Sequence, residues 1–409
     1  MDYAMIGRQA LEAIEATRPV LAGIVPARDR IRFPGKTILH AGPAFKHGAV
    51  SKPILNSAIV AAVFEGWAPD FPAANAMLAA GEIRLAPAQD FNAVTPLAAV
   101  ISPSMWVQEV RNAGDETSAA AYSALNGGSG AAARLGQCSE QALSHLRWIN
   151  VELAQALRDA IREPLELIPI ARHALIQGDD CHGRTQAGSE RLRQILADMS
   201  PSLVRNSSVI EFLDTSPSFF LNIWMAACKT MVQAAIFPGS DVVTTIGANG
   251  VEVGLQLGGM PGRWWTAPAE PPVGRLEAGF TASDSLPAIG DSALVDALGF
   301  GCMAMHYAPK QMEALSSFMP EESQKRGESI LLGVHGGFGD LHLNVACSAS
   351  RAVASNKTLP VALGILDVQG KGGRIGGGIA LVPMVVLRDS FNALQKSAAA
   401  MGGATTSSV

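Results

Sequence analysis

Between Ser139 and about Phe237 apolar residues recur at helical spacing, whereas on either side the period collapses into short β-branched runs broken by glycine. That change of texture constrains the chain more than any single motif, because a helix and a strand need different apolar periods to bury one face. In the middle stretch Leu143, Leu146, Ile149, Leu153 and Leu157 share a face, Glu163-Pro164 ends that helix, and Pro169 to Gln177, Ser189 to Met199 and Phe219 to Ile236 continue the pattern. Before it, Val20 to Val25 and Thr37 to His40 read as strands, with Gly42-Pro43 and a helix from Lys52 to Trp67 after them. A helix over Phe71 to Ala80 and strands over Glu82 to Ala86, Leu97 to Ile101 and Met105 to Arg111 follow, until the glycine cluster Asn126 to Gly130 closes the region. After Gly239, Asp241 to Ile246 and Val251 to Leu257 read as strands of a glycine-rich sheet. Helices near Ser292 to Leu298 and Pro309 to Phe318, strands near Ser329 to Val334 and Leu359 to Leu366, and a helix over Pro383 to Ala398 complete the chain. The expected class is mixed α/β (α+β), with two α/β subdomains and a small helical domain between them: residues 1–138, 139–238 and 239–400, then a flexible tail over 401–409.

Composition narrows the function. Apolar residues make up 48% of 409 and charged residues 16%, which fits a large ordered interior and makes a homo-oligomer an expectation. The five cysteines are scattered with no CxxC pair, so a reducing, cytoplasmic setting is expected, with neither a disulfide framework nor a zinc site. Met1 to Thr17 carries Asp2, Arg8, Glu12 and Glu15 at amphipathic spacing and reads as a surface helix, not a signal peptide. The uncharged run Phe91 to Gln108 contains two prolines, so no membrane span is expected. Net charge is −5 and the basic residues never form a dense run, which argues against a nucleic-acid partner.

The segment richest in chemical possibility is Asn249-Gly250-Val251-Glu252 followed by Gly258 to Pro268, which includes Gly262, Arg263, Trp264 and Trp265. Glycines that bare backbone N–H groups beside an arginine suit a carboxylate or phosphate, because guanidinium donors match those oxygens in pairs. The plainer alternative is a tight turn with Trp264 in the core and Arg263 paired to a structural carboxylate. Gly290-Asp291-Ser292 either caps the next helix or seats an anion, and together with Asp241 to Leu257 it is expected to form two rims of one pocket. Asp179, Asp180, Cys181 and His182 sit at a break between helices; adjacent positions point apart, so a polar turn is favoured over a metal site, and His182 and Arg184 remain candidates for proton donor and anion clamp. His335 to Gly339 and Gly370 to Gly378, with Lys371 and Arg374, read as loops. His40 and His47 read as structural, and Asn222 and Lys229 are polar intrusions in an apolar helix that need partners. No nucleotide-binding loop, Gly-x-Ser-x-Gly elbow or HExxH helix is present, and no cofactor is expected.

Along the chain follow Leu39-His-Ala-Gly-Pro43, Phe64-Glu-Gly-Trp67, Asn92-Ala-Val94, Ser102-Pro-Ser-Met105, Gly178-Asp-Asp-Cys-His-Gly-Arg184, Phe219-Phe-Leu-Asn222, Asn249-Gly-Val-Glu252, Pro261 to Pro268 and Ile289-Gly-Asp-Ser292. In that order these motifs resemble the AllG/YlbE-like family. The resemblance covers nearly the whole chain. It implies a subunit of an oxamate carbamoyltransferase in allantoin breakdown, which exchanges oxalurate and phosphate for oxamate and carbamoyl phosphate alongside an FdrA-type protein and a further small subunit. On that reading Arg263 and neighbouring glycine amides hold phosphate or carbamoyl phosphate, Asn249 and Glu252 orient the ureido nitrogens, and His182 or Arg184 supplies protons or charge. Two other readings stand beside it: an acyl-CoA or acyl-phosphate ligase-type subunit, and a non-catalytic scaffold that binds a small acid. The chain departs from the family pattern at Gln89 to Pro96, where a histidine is missing and Thr95 replaces glycine, and it lacks the Ser-Thr-Arg-Thr and His-Pro-x-Gln signatures of ordinary carbamoyltransferases.

Overall fold

The helix Phe219–Gln233 is apolar on nearly every side, and a helix of that kind has to be surrounded. In the computed structural model, which describes residues 2–46, 48–115, 117–128, 130–321 and 323–404, it is. Trp224, Phe220 and Met225 are fully buried, and the helix packs on the strands Pro19–Pro26, Trp106–Asn112, Ala121–Ala124 and Val243–Asn249 and on the helix Ala293–Leu298. The largest apolar cluster accordingly draws on all three stretches of the chain.

Among the described residues the strands form five sheets, two of which pack on this helix. The first runs Ala93–Val94, Ala121–Ala124, Trp106–Asn112, Pro19–Pro26 and Leu165–Glu166, so the middle stretch lends it an edge strand. A second places Arg84–Pro87 beside Thr37–His40 in parallel, with Val100–Ile101 antiparallel on the other side. In the C-terminal region Trp265–Pro268, Glu252–Leu257, Val243–Asn249 and Ile289–Gly290 form one antiparallel sheet, Val273–Leu276, Arg374–Leu381 and Pro360–Leu366 another, and Leu331–Val334 with Asn344–Cys347 a two-stranded ribbon. The class is the mixed α/β one that the periodicities predict.

Several elements differ from expectation for stated reasons. The first long helix of the middle stretch is interrupted by a π-helical turn, Ile149–Leu153, where the Asn150 side chain donates to Leu146 O (2.8 Å) and accepts from Trp106 N (2.6 Å). The glycine-rich stretch Gly370 to Gly378 reads as a loop, yet from Arg374 it belongs to Arg374–Leu381, the central strand of its sheet. Its glycines are there for closeness: a Cβ at Gly376 would lie 2.3 Å from Arg275 O, and one at Gly378 2.6 Å from Val273 O. The terminal helix, Met384–Ala404, runs into the stretch expected to be a tail, and residues 405–409 lie outside the described residues, as does His47. Among the described residues no helix is long and apolar enough to cross a membrane.

Candidate functional site

Residues from all three stretches line one cavity of about 770 Å³. The glycine loop around Asn126, Gly127 and Gly128 and the short turn Ala133–Leu135 form one wall, and the turns at His182 to Gln186 and Thr215 to Asn222 form a second. Ser292, Gln311 and the strand residues Ala362, Gly364, Arg374 and Gly377 close it.

The Asp179-Asp180-Cys181-His182 turn is organised by its carboxylates. Asp180 Oδ1 accepts from the backbone N–H of His182 (2.7 Å) and of Arg184 (2.9 Å), and Asp179 Oδ2 accepts from Gly188 N (3.0 Å). Cys181 adopts φ 62° and buries its thiol, so the four side chains diverge, as adjacent positions must. His182 is thereby turned into the cavity wall with Nδ1 hydrogen-bonded to Asp296. Asp296 is itself fully buried, and its Oδ1 accepts from Cys302 N (2.8 Å) and Ala362 N (3.3 Å). Burial opposes the imidazolium of His182, but the charge and hydrogen bond of Asp296, helped by Asp180, outweigh it and hold the pKa above the ordinary histidine value. Burial pushes the neighbouring Asp180 carboxyl up to about 6.

Positive charge dominates the walls. Arg134, Arg184 and Arg374 line the cavity, against the exposed carboxylate of Glu277. Arg184 is partly neutralised, with Nε 3.4 Å from Asp179 Oδ1. Burial, and then the charge of Arg374, lower the Arg134 pKa to about 10, so the two guanidiniums feel each other. Asn222 donates to Asn126 O (3.0 Å) and steadies the glycine loop.

Of the residues singled out from sequence, the structure therefore brings together His182, Arg184, Asn222 and Ser292 in this cavity. It sets the others elsewhere, and the expectation that Asp241 to Leu257 and Gly290 to Ser292 form two rims of one pocket is corrected. Ile289 pairs with Asn249 and Gly290 with Ala248, so the two segments are adjacent strands of one sheet. Asn249 is buried: its Oδ1 accepts from Val251 N (3.0 Å) and Glu252 N (2.8 Å), and its Nδ2 donates to Pro43 O (2.9 Å). Glu252 accepts from Lys46 and from Thr266 Oγ1 (3.0 Å), and the Gly250 N–H donates to Ala288 O (3.0 Å) at φ 81°. The Asn249 to Glu252 motif is thus a joint between the N-terminal loop and the C-terminal sheet. Asp291 is fully buried and accepts from Gly42 N, Gln89 Nε2 and Thr95 N, each at 2.9 Å, and from Thr95 Oγ1 (3.2 Å). Gln89 and Thr95 thus serve this joint. Gly290, at φ 117°, lies against Leu97, and Gly262 forms an exposed turn whose N–H donates to Gln256 Oε1 (2.7 Å).

Trp264 donates from Nε1 to Asp90 Oδ1 (2.9 Å), and Arg263 is exposed, stacked over the Trp265 ring at 4.9 Å beside a surface depression shared with Asp389 and Lys396. The guanidinium at 263 is absent from the cavity that holds His182. Replacement of Arg263 by alanine is accordingly expected to leave turnover of the assembled protein within about twofold of wild type, because a stacked surface pair contributes only about 0.5–1 kcal/mol locally; a steady-state rate measurement checks this.

Sequence reasoning passed over Asp296, Arg134 and the part played by Arg374. The signals were faint but physical: a lone carboxylate in the apolar helix Ala293–Leu298, and a lone arginine after three alanines, each needing a reason to be buried.

Fold and cavity define a mixed α/β protein with a basic, histidine-bearing cleft. The profile of the AllG family, described as oxamate carbamoyltransferase subunit AllG, matches residues 83–292. The chain is 30% identical to oxamate carbamoyltransferase subunit AllG of Escherichia coli over 97% of its own length and 98% of that protein, and it belongs to this family. It is also 35% identical to the uncharacterized protein YahG of Escherichia coli, over 75% of this chain and 66% of that protein. A crystal structure of a conserved protein of unknown function from Enterococcus faecalis has the same fold, with a TM-score of 0.89 and 27% identity over 96% of this chain and 98% of that one.

Proposed function

We propose that the chain is one subunit of a carbamoyltransferase-type complex and that its cavity hosts phosphorolysis of a ureido acid such as oxalurate. The observation that carries this reading is His182, held by the buried Asp296, lining the same cavity as three arginines. A phosphate oxygen attacks the terminal ureido carbonyl carbon, the new C–O bond forms, and the C–N bond to the oxamate nitrogen breaks. That nitrogen takes its proton from His182 Nε2, because an amide anion is too poor a leaving group to depart unprotonated. Hydrogen phosphate gives up its own proton as carbamoyl phosphate forms, and that proton restores the His182 imidazolium, so the exchange consumes none overall. Asp296 is a positioning residue that fixes the ring and favours its protonated form. The fixed guanidiniums offset charge gathered in a low-dielectric cleft. The relative's description as a subunit supports a multi-subunit assembly, for which an FdrA-type protein and a further small subunit are the proposed partners, and no comparison favours the ligase-type or scaffold alternatives.

The direct test is carbamoyl phosphate formation from oxalurate and phosphate by the protein co-purified with its partners; turnover that requires ATP or CoA instead would replace this reading. A pH profile adds a second check. His182 has a raised folded-state pKa, so its protonation stabilises the fold below the ordinary histidine value, and that contribution is lost as pH rises through the raised one. Turnover should fall over the same alkaline limb, and Asp296→Asn should move the limb to lower pH.

A further inference from the structure

Two like charges, Arg134 and Arg374, line the same cavity. Arg134 projects from the turn Ala133–Leu135 and spends two donors on the glycine loop, Nη2 on Gly128 O (2.6 Å) and Nε on Gly127 O (3.4 Å). Arg374 begins the central strand of the opposite sheet and lies across glycine: a Cβ at Gly364 would sit 3.4 Å from its Nε, and one at Gly377 3.2 Å from its Nη2. Among the described residues no carboxylate is within ion-pair distance of either guanidinium. Arg184, by contrast, already shares its charge with Asp179 and bonds Gln186 Oε1 (3.1 Å).

We infer that Arg134 and Arg374 form a paired-guanidinium seat for a doubly charged phosphate group, and that Gly364 and Gly377 act as positioning residues that keep Arg374 flat against the sheet. The inference rests on the phosphorolysis reading for its ligand class and deepens it by dividing the cavity. Two cations lining one cavity, Arg134 partly buried and Arg374 exposed, repel each other until a ligand neutralises both, and a dianion does so where a monocarboxylate leaves one charge over. Guanidinium forks match phosphate oxygens in pairs, which sets the geometry. The singly charged carboxylate of the ureido acid is left to Arg184, whose charge is already half spent. The reacting carbonyl then falls between the two arginine groups, toward His182.

Titration calorimetry of the full chain with inorganic phosphate tests the seat. Wild type should bind, Arg134→Gln and Arg374→Gln should each weaken binding at least tenfold, and Arg374→Lys should recover part of the loss. Gly377→Ala should weaken binding about threefold to tenfold while leaving the thermal midpoint unchanged, and Arg263→Ala should leave binding as in wild type. Carbamoyl phosphate should displace phosphate and oxamate should not. No phosphate binding by wild type, wild-type affinity in Arg374→Gln, or displacement by oxamate would overturn the seat. Phosphate held by this pair in a complex that makes no carbamoyl phosphate would remove the reaction and keep the seat; turnover with an unchanged phosphate KM in Arg374→Gln would do the reverse.

Discussion

Replacing His182 by glutamine is expected to lower turnover of the assembled complex by about 10²–10⁴-fold, the usual contribution of a positioned acid. Glutamine keeps a donor that reaches Asp296 and fills similar space, so the fold should survive while the titrating proton is lost. Because the proton moves only as the C–N bond breaks, the loss should fall on kcat and leave KM for both substrates within a few-fold. Asp296→Asn should cost less, since asparagine can still accept from Cys302 N and Ala362 N, and its mark is the displaced alkaline limb. A His182→Gln complex that turns over at the wild-type rate would take the histidine out of the chemistry, whatever the arginines do.

The second large effect is on stability. Asp291→Ala should destabilise the chain by about 3–5 kcal/mol, because it strands the buried N–H groups of Gly42, Thr95 and Gln89 at once and removes the larger counter-charge acting on the buried Lys229. No neighbour can fill in: a Cβ at Gly247 would lie 2.4 Å from Asp291 Oδ1, so the strand is packed directly on the carboxylate. Burial raises the Asp291 pKa to about 6, so the stabilising effect of its protonation is present below the ordinary carboxylate value and lost as pH rises through about 6. Asp291→Asn keeps the volume but turns an amide toward donors, and it should fall between wild type and alanine in urea midpoint. A midpoint for Asp291→Ala equal to wild type would show that the N- and C-terminal sheets are held together by something else.

The polar intrusions at Asn222 and Lys229 were legible as residues needing partners, and both have them. Lys229 donates to Thr244 O (3.0 Å) and Thr245 Oγ1 (2.8 Å), and burial lowers its pKa to about 8. The break at Gly178 to Arg184 was legible as a polar turn bearing His182. Arg374–Leu381 was not legible as a strand, because glycine weakens strand propensity locally, and only the neighbouring backbone of Val273–Leu276 explains why nothing larger fits.

The sequence by itself determined the class of fold, the buried axis at Phe219–Gln233 and the family, since apolar period and long motifs are local properties of the chain. Tertiary structure alone decided which polar residues share a cavity. Asn249, Glu252 and Asp291 look like ligand-binding residues in one dimension, yet their hydrogen-bonding capacity is spent on Pro43, Lys46, Gly42 and Thr95, far away along the chain. Arg134 and Arg374 look like stray charges and end up lining one cavity. Whether a polar side chain is satisfied by protein or left for a ligand depends on partners hundreds of residues distant, and periodicity carries no record of them.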